Sequence, residues 1–326
     1  MFPERRKRAS LRLVLGLLLS SILLGWLLTS FSVIHAPVWI LLARHPWAIG
    51  SIAFGSVFLM TALSAAKWQM LLKLAAPDLA QSVKFDQFFA YTAASSALGQ
   101  IVPPYIAGPA VRGAVMKSQH NADFARSAML AAYEQLFDVV ALMIGGMAAL
   151  ALLLGGIIGP AGVACFVGIV ALTPAALYML PDRCRLMKIA AILPTRWSVT
   201  RRIRMSVETG SAAGLDAPRL LGHLTVLSSL RYAILVMRTL GIGLILLPAV
   251  PWETLALGFA AVQLSSLATL TPGNLGITEL SWSAMTVFTD RATMGEFVAF
   301  ALVLRVSGLL ATALLAALAL VWLRLQ

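Results

Sequence analysis

The sequence predicts an all-α polytopic membrane protein with about six transmembrane helices and two re-entrant, broken helical hairpins that could form an inverted repeat. Of its 326 residues, 60% are apolar and only 12% are charged, whereas about a quarter of the residues in a soluble domain are charged. Apolar runs of about 20 residues, long enough to cross a bilayer, recur from Leu11 to the C-terminus. Prolines and glycines interrupt two of these runs. We therefore expect residues 1–326 to form a single membrane domain.

The basic residues and the cysteines argue against other classes of protein. The net charge is +12, but lysines and arginines collect in short stretches between apolar runs, which is typical of cytoplasmic membrane loops. Nucleic-acid binding would need a basic face with interleaved aromatic residues, and the sequence shows none. Cys165 and Cys184 lack the spacing of a metal site or of a disulfide framework. We expect no nucleic-acid partner, no metal and no cofactor.

The basic flanks give each apolar run a direction across the membrane. A basic cluster at residues 5–8 precedes a run that is too long for a signal peptide, so the N-terminus is expected in the cytoplasm. Lys67, together with Lys73, marks the expected cytoplasmic end of the second span. The predicted spans are about Leu11–Phe31, Trp47–Met70, Ala125–Leu154, Gly162–Leu180, Leu220–Leu247 and Ala292–Leu323.

The densest basic stretch divides the chain into two halves. It lies in a predicted cytoplasmic loop, about 181–218, between a first half of about 1–180 and a second half of about 219–326. With this loop inside, both termini are cytoplasmic. The expected location is the inner membrane of a bacterial cell, crossed several times.

Each half contains one hydrophobic segment that proline and glycine interrupt. Proline removes a backbone donor and breaks a helix, and broken backbone at membrane depth must line a cavity or be buried in protein. The predicted broken-helix residues are Pro103, Pro104, Gly108, Pro272, Gly273, Asn274 and Gly276. Their corresponding places in the two halves, with openings to opposite faces, fit an inverted-repeat transporter. Glycine and proline are also common in ordinary membrane helices, so ordinary packing stays open.

Charged residues inside the apolar runs are the candidate site. Each costs about 2.5 to 3.5 kcal/mol at the bilayer centre, so these side chains should face the protein interior. Acids and arginines could form a structural salt-bridge network, or the arginines could bind an anionic headgroup, because a guanidinium matches phosphate bidentately. The predicted headgroup-binding residues are Arg112, Arg231, Arg238 and Arg305. The predicted supporting acids are Glu134, Asp138 and Glu279.

Three short motifs resemble the landmarks of the lysylphosphatidylglycerol synthase transmembrane family. They are Gln100-Ile101-Val102-Pro103 running through Gly108 to Arg112, Glu134 with Asp138, and Thr271-Pro272-Gly273-Asn274-Leu275-Gly276 with Glu279. The motifs occur in the family's order over nearly the whole chain, although Asn274 stands where glycine is more usual. The resemblance implies a lipid flippase-type membrane domain. Because the chain stops after the last predicted span, we expect a stand-alone member without the aminoacyltransferase domain.

The sequence therefore predicts a transporter that moves an anionic or polar-headed lipid between leaflets, and not an enzyme. The expected partner is the lipid itself, and a homodimer is an open option. An intramembrane lipid-modifying enzyme is one alternative, since Glu134 and Asp138 could act as an acid-base pair, although no hydrolase or metalloprotease motif is present. A small-solute secondary transporter would share the broken helices. Phospholipid, aminoacylated lipid, hopanoid and polyprenyl carrier all remain candidates.

The two breaks give a prediction about topology. In a background lacking Cys165 and Cys184, a cysteine at Tyr105 should be labelled by a water-soluble maleimide from the cytoplasmic side, and one at Asn274 from the outside. Labelling of both positions from one side would contradict the inverted arrangement of the halves.

Overall fold

The structure is a computed structural model and describes residues 21–30, 33–100, 102, 104–178, 218–268 and 274–325. Every regular element in these ranges is a helix, as expected. The helices are α1 (Ser21–Ser30), α2 (Val38–Arg44), α3 (Pro46–Ala75), α4 (Pro77–Ser82), α5 (Phe85–Leu98), α6 (Pro104–His120), α7 (Phe124–Leu154), α8 (Pro160–Tyr178), α9 (Pro218–Leu246), α10 (Trp252–Val262), α11 (Ile277–Ser283) and α12 (Met294–Arg324). The predicted break residues Pro103, Pro272 and Gly273 lie outside the described residues, as does nearly all of the basic loop.

Four helices are long and apolar enough to cross a membrane. They are α3, α7, α9 from Arg219 onward, and α12, with 28 to 31 residues each. At 1.5 Å per residue such a helix is about 42 to 46 Å long, which exceeds a hydrocarbon core of about 30 Å. The protein is thus a multi-pass membrane protein. The first predicted span and the one near α8 meet the described residues only in part, so the expected number of six stays a prediction.

Local sequence explains where the long helices begin. The Asp123 carboxylate accepts a hydrogen bond of 2.9 Å from the Ala125 backbone N–H at the start of α7, which satisfies one of the free donors of a helix N-terminus. At the start of α12, Thr293 and Glu296 form a reciprocal capping box. Pro46 occupies the first position of α3, where its missing N–H is harmless.

Both predicted breaks occur as interruptions between short helices. Helices α5 and α6 have 14 and 17 residues, or about 21 and 25 Å, so neither alone spans a bilayer of about 30 Å. In the second half, α10 ends at Val262 and passes into a 3-10 helix, Gln263–Ala268, before α11. Pro104 begins α6, where proline is well tolerated. Whether these hairpins are re-entrant stays a prediction.

Gly108 does not lie at the first break, which corrects our expectation. It lies inside α6, and a Cβ atom added to it would come 2.0 Å from the Gln135 Nε2 atom of α7. Glycine here therefore allows α6 and α7 to approach closely.

The packing of the helices repeats between the halves. In the first half, α5 packs on the preceding span α3 and α6 on the following span α7; in the second half, α10 packs on α9 and α11 on α12. The contacts between the halves are also matched, since α5 packs on α12 and α10 on α7. The spans α3 and α9 pack on each other at the centre. This is the contact pattern of an internal repeat, while its inversion across the membrane stays a prediction.

The close packing of α7 on α10 gives a stability prediction. Gly146→Ala should lower the free energy of unfolding by about 1 to 3 kcal/mol, because the new Cβ would lie 2.6 Å from the Leu264 side chain and 3.0 Å from the Ala260 carbonyl oxygen. Gly55→Ala is the matched control, since no heavy atom lies within 4 Å of its added Cβ and alanine favours helix by about 1 kcal/mol. Thermal unfolding in detergent measures both. Equal midpoints would contradict this packing.

Candidate functional site

A network of buried charges joins four helices in the first half and centre of the protein. Lys67 of α3 contacts two carboxylates of α7, with its Nζ atom 2.8 Å from Glu134 Oε1 and 2.5 Å from Asp138 Oδ1. Arg112 of α6 contacts Glu134 Oε2 at 2.8 Å, and Arg231 of α9 forms an ion pair with Asp138. We call these five residues the charged network. Each carboxylate therefore lies between two cations from different helices.

Glu134 is the most completely satisfied member of the charged network. Its side chain and that of Lys67 are 0% exposed, and that of Arg112 is 2% exposed. The Ser64 hydroxyl donates to Glu134 Oε1 at 2.9 Å and accepts from Arg112 Nη2 at 2.9 Å. The Arg112 guanidinium also lies 5.2 Å from the centroid of the Trp68 ring, within the range of a cation–π contact. Each charge buried here has at least one partner of opposite charge.

A second ion pair fixes the backbone at the second break. Arg305 of α12 donates from Nε to Glu279 Oε1 of α11 at 2.7 Å, and from Nη2 to the Asn274 carbonyl oxygen at 3.1 Å. Glu279 also accepts from the Gly276 backbone N–H at 2.8 Å. Asn274 and Gly276 have φ values of 56° and 84°, and asparagine adopts this left-handed region more readily than most residues. Asn274 can therefore replace the glycine that is more usual in the family.

Arg238 differs from the other cations of the site. Its Nη2 atom donates to the Leu304 carbonyl oxygen of α12, and its buried Nε atom has no hydrogen-bond partner among the described residues. No ion pair to Arg238 is found in the described part of the chain. Gly308 faces it so closely that an added Cβ would lie 2.6 Å from Nη2. Within the described residues, this partly buried guanidinium thus lacks the carboxylate partner that each other cation of the site has.

The repeat explains why Arg238 has no acidic partner among the residues that the structure describes. Lys67 is the twenty-second residue of α3 and Arg238 the twenty-first of α9, while Glu134 is the eleventh residue of α7 and Arg305 the twelfth of α12. Each broken segment is tied to the following span by one arginine–glutamate pair, but the acid and the base have exchanged places between the halves. The helix position that places Glu134 beside Lys67 in the first half is therefore occupied in the second half by Arg305, which is a cation like Arg238.

A cavity of about 250 Å³ lies where the two halves meet. Three of the predicted arginines line it, namely Arg231, Arg238 and Arg305, together with polar side chains of α3, α5, the first break and α12. The described residues that line it are Val57, Met60, Thr61, Ser64, Ser96, Gln100, Arg231, Leu235, Arg238, Leu304, Arg305, Gly308 and Thr312. A water molecule occupies about 30 Å³ of liquid, so the cavity has room for a phosphate-sized group. The lining arginines could bind such a group.

One of our sequence expectations needs correction. Lys67 was expected at the cytoplasmic end of its span, but it is fully buried between two carboxylates, and α3 continues for two further turns to Ala75. Arg112 forms an ion pair with Glu134 and is not part of the cavity lining, and its expected role in headgroup binding stays a prediction. Both residues belong to the charged network.

Sequence reasoning also missed several polar residues of the site. Ser64, Ser96 and Gln100 line the cavity, and Ser228 accepts a hydrogen bond from Lys67 at 3.0 Å. One available signal was the spacing of Ser64 and Lys67, three residues apart within an apolar run and hence on one helical face. A serine by itself does not indicate a functional site, because serine is common in membrane helices. In the described part of the chain, no three metal-ligating side chains come together.

Comparison with protein families identifies the family of the chain. The profile described as Lysylphosphatidylglycerol synthase TM region matches residues 13–316, nearly the whole chain. The chain belongs to this family. The match includes both breaks, the charged network and the arginines that line the cavity. Searches of curated proteins and of solved structures gave no match.

The charged network yields a stability prediction for this family member. Glu134→Gln should lower the free energy of unfolding by about 3 to 5 kcal/mol, because removing one partner of a buried ion pair leaves an uncompensated charge. Asp290→Asn is the control, since its ion pair with Arg291 is long, at 3.8 Å, and exposed, and such pairs contribute little. Thermal unfolding in detergent compares the two. A Glu134→Gln midpoint equal to that of the control would show that the network does not stabilise the fold.

Proposed function

We propose that this protein transports lipid, moving a lipid with an anionic head between the leaflets of the bacterial inner membrane. The observation that carries the proposal is the cavity between the halves, lined by three arginines in the interior of apolar helices. A charge inside an apolar span is unfavourable, so Arg238, which has no acidic partner among the described residues, calls for a function. Membership of a lipid-related membrane family supports the same proposal.

The charge balance of the site favours an anion. Five cations, Lys67, Arg112, Arg231, Arg238 and Arg305, face three carboxylates, Glu134, Asp138 and Glu279, in the charged network and around the cavity. The formal excess is two positive charges. A lipid phosphate entering the cavity would offset this excess, and it could bind the planar fork of Arg238 bidentately.

The position of the acids argues against the enzyme alternative. Glu134 and Asp138 form ion pairs with cations of the charged network and do not line the cavity. Among the described residues, no carboxylate, histidine or cysteine lines it either. A general acid or base must reach the reacting group of the substrate. The cavity therefore offers binding groups for an anion, without a side chain of the usual kind for proton transfer.

The first test is Arg238→Leu in proteoliposomes. We expect transport of a chain-labelled fluorescent phosphatidic acid, followed by dithionite quenching, to fall about tenfold or more, because one good charged contact is worth about 1.4 kcal/mol or more. Thermal stability should change little, since Arg238 has no acidic partner to leave unpaired within the described residues.

Two variants serve as controls for that test. Arg219→Leu removes an exposed arginine near the start of the same helix and should leave transport unchanged. Arg238→Lys keeps the charge but loses the fork, and it should transport at an intermediate rate. Large destabilisation of Arg238→Leu with unchanged transport per folded molecule would contradict the proposal and leave this arginine with a structural role. Equal loss of transport for small anions and lipids would favour a solute transporter.

A further inference from the structure

The arginines that line the cavity come from two helices that face each other across it. Arg231 and Arg238 lie seven residues apart on α9, which is about two turns, and Arg305 lies on α12. Arg238 reaches across to α12, where its Nη2 atom donates to the carbonyl oxygen of Leu304, the residue before Arg305. Three guanidinium groups therefore border one cavity of about 250 Å³.

The Arg238 guanidinium lies flat enough against α12 to depend on a glycine. A Cβ atom added to Gly308 would come 2.6 Å from Nη2 and 3.1 Å from Nη1 of Arg238. The contact with the Leu304 carbonyl oxygen uses one of the five N–H donors of an arginine, and the Nε atom has no hydrogen-bond partner among the described residues. The guanidinium is thus positioned with donors left for a ligand.

The charges of the site add up to an excess of two among the described residues. The charged network contributes one positive charge, because its three cations share two carboxylates. Arg238 contributes the other, while Arg305 and Glu279 balance each other. An uncompensated charge in the interior is unfavourable. A ligand with two negative charges would balance the site, whereas a ligand with one would leave a positive charge uncompensated.

Phosphate esters differ in both the charge and the number of oxygens that they offer. A monoester has three terminal oxygens and, because its second pKa is about 6, carries close to two negative charges above about pH 7. A diester has two terminal oxygens and one negative charge. Since a guanidinium fork can bind two oxygens at once, only the monoester keeps a terminal oxygen for a second arginine.

We propose that the cavity selects lipids whose head is a dianionic phosphate monoester. This inference rests on the proposed function and names the substrate class of the same site. Phosphatidic acid and polyprenyl phosphates share this head, whereas phosphodiester lipids lack the second charge. A head with an ammonium group would require an acidic partner, and among the described residues no carboxylate lines the cavity.

The test is a competition between two lipids that differ by one methyl group. Purified full-length protein in a nonionic detergent is incubated with equal concentrations of phosphatidic acid and phosphatidylmethanol that carry the same chains, and the bound lipids are counted by mass spectrometry. At about pH 8, we expect about ten molecules of bound phosphatidic acid for each phosphatidylmethanol. At about pH 5, where both lipids carry one charge, the ratio should approach one.

The protein contributes little to this pH dependence. The titratable groups in the described lining are arginines, which stay charged at both pH values. The charged groups behind the lining all belong to ion pairs, and they are Lys67, Arg112, Glu134, Asp138 and Glu279. The ratio at the two pH values therefore reports the charge of the ligand.

Two variants at one position separate charge from shape. Leu235 lines the cavity on the same helix as Arg231 and Arg238. Leu235→Glu adds a carboxylate and lowers the excess to one, whereas Leu235→Gln changes the lining to nearly the same shape without the charge. The ratio at about pH 8 should be several-fold lower in Leu235→Glu than in Leu235→Gln. Arg238→Leu also lowers the excess to one and should reduce the ratio, while Arg219→Leu, far from the cavity lining, should not.

Two further ligands distinguish the sources of the phosphate. A polyprenyl phosphate competing with phosphatidic acid shows which chain the site accepts, and strong binding of either one supports the monoester head. Inorganic phosphate is the third competitor. If it displaced phosphatidic acid at an equal concentration, the ligand would be a free phosphate, and the lipid class would be overturned.

The outcomes separate this inference from the proposed function. A ratio near one at both pH values would overturn the selection of monoesters, and a high ratio that does not change with pH would show exclusion of the methyl group in place of selection by charge. In both cases, loss of transport in Arg238→Leu proteoliposomes would still support lipid transport. Unchanged transport in that variant would instead reject the proposed function, whichever head the cavity prefers.

Discussion

The ionised carboxylate of Glu134, fully enclosed by protein, is the constraint on which much of this structure depends. An unpaired charge in an apolar interior is so unfavourable that Glu134 must be buried together with partners of opposite charge. Lys67 of α3 and Arg112 of α6 supply those partners, and Ser64 completes the hydrogen bonds. Through Lys67 and Asp138 the constraint extends to Arg231 of α9. Lipid offers no hydrophobic force that would press apolar helices together, so directional contacts of this kind fix how these helices are rotated and at what depth they meet.

The same arrangement of ion pairs occurs in both halves, with one change that leaves a cation in excess. In each half, an arginine–glutamate pair ties the broken segment to the following span, as Arg112 with Glu134 and as Glu279 with Arg305. Acid and base are exchanged in the second pair. The cation contributed by the preceding span is therefore neutralised in the first half and left in excess in the second, as Arg238. One repeated arrangement can thus supply both a structural network and the anion site that we propose.

The location of that excess charge gives the protein its proposed activity. Arg238 borders a polar cavity near the middle of the long helices. A lipid crossing the membrane needs a polar path for its head while its chains stay in hydrocarbon. The cavity supplies polar lining of this kind, and the family to which the chain belongs concerns membrane lipids.

The sequence by itself determined the class of protein, its two interrupted segments and its family, because composition, proline chemistry and motif order are local properties. It also indicated that the intramembrane charges must pair with one another or bind a ligand, since burial of an unpaired charge is unfavourable. Only the tertiary structure decided which charges meet. Lys67 and Glu134 are separated by 67 residues, and helices surrounded by lipid are apolar on both their inner and outer faces, so periodicity does not reveal which face points inward. Lys67 is buried, Arg112 pairs with Glu134 and does not line the cavity, and Arg238 is a cation in excess. These features depend on the rotation and depth of the helices, which are set only when the spans pack.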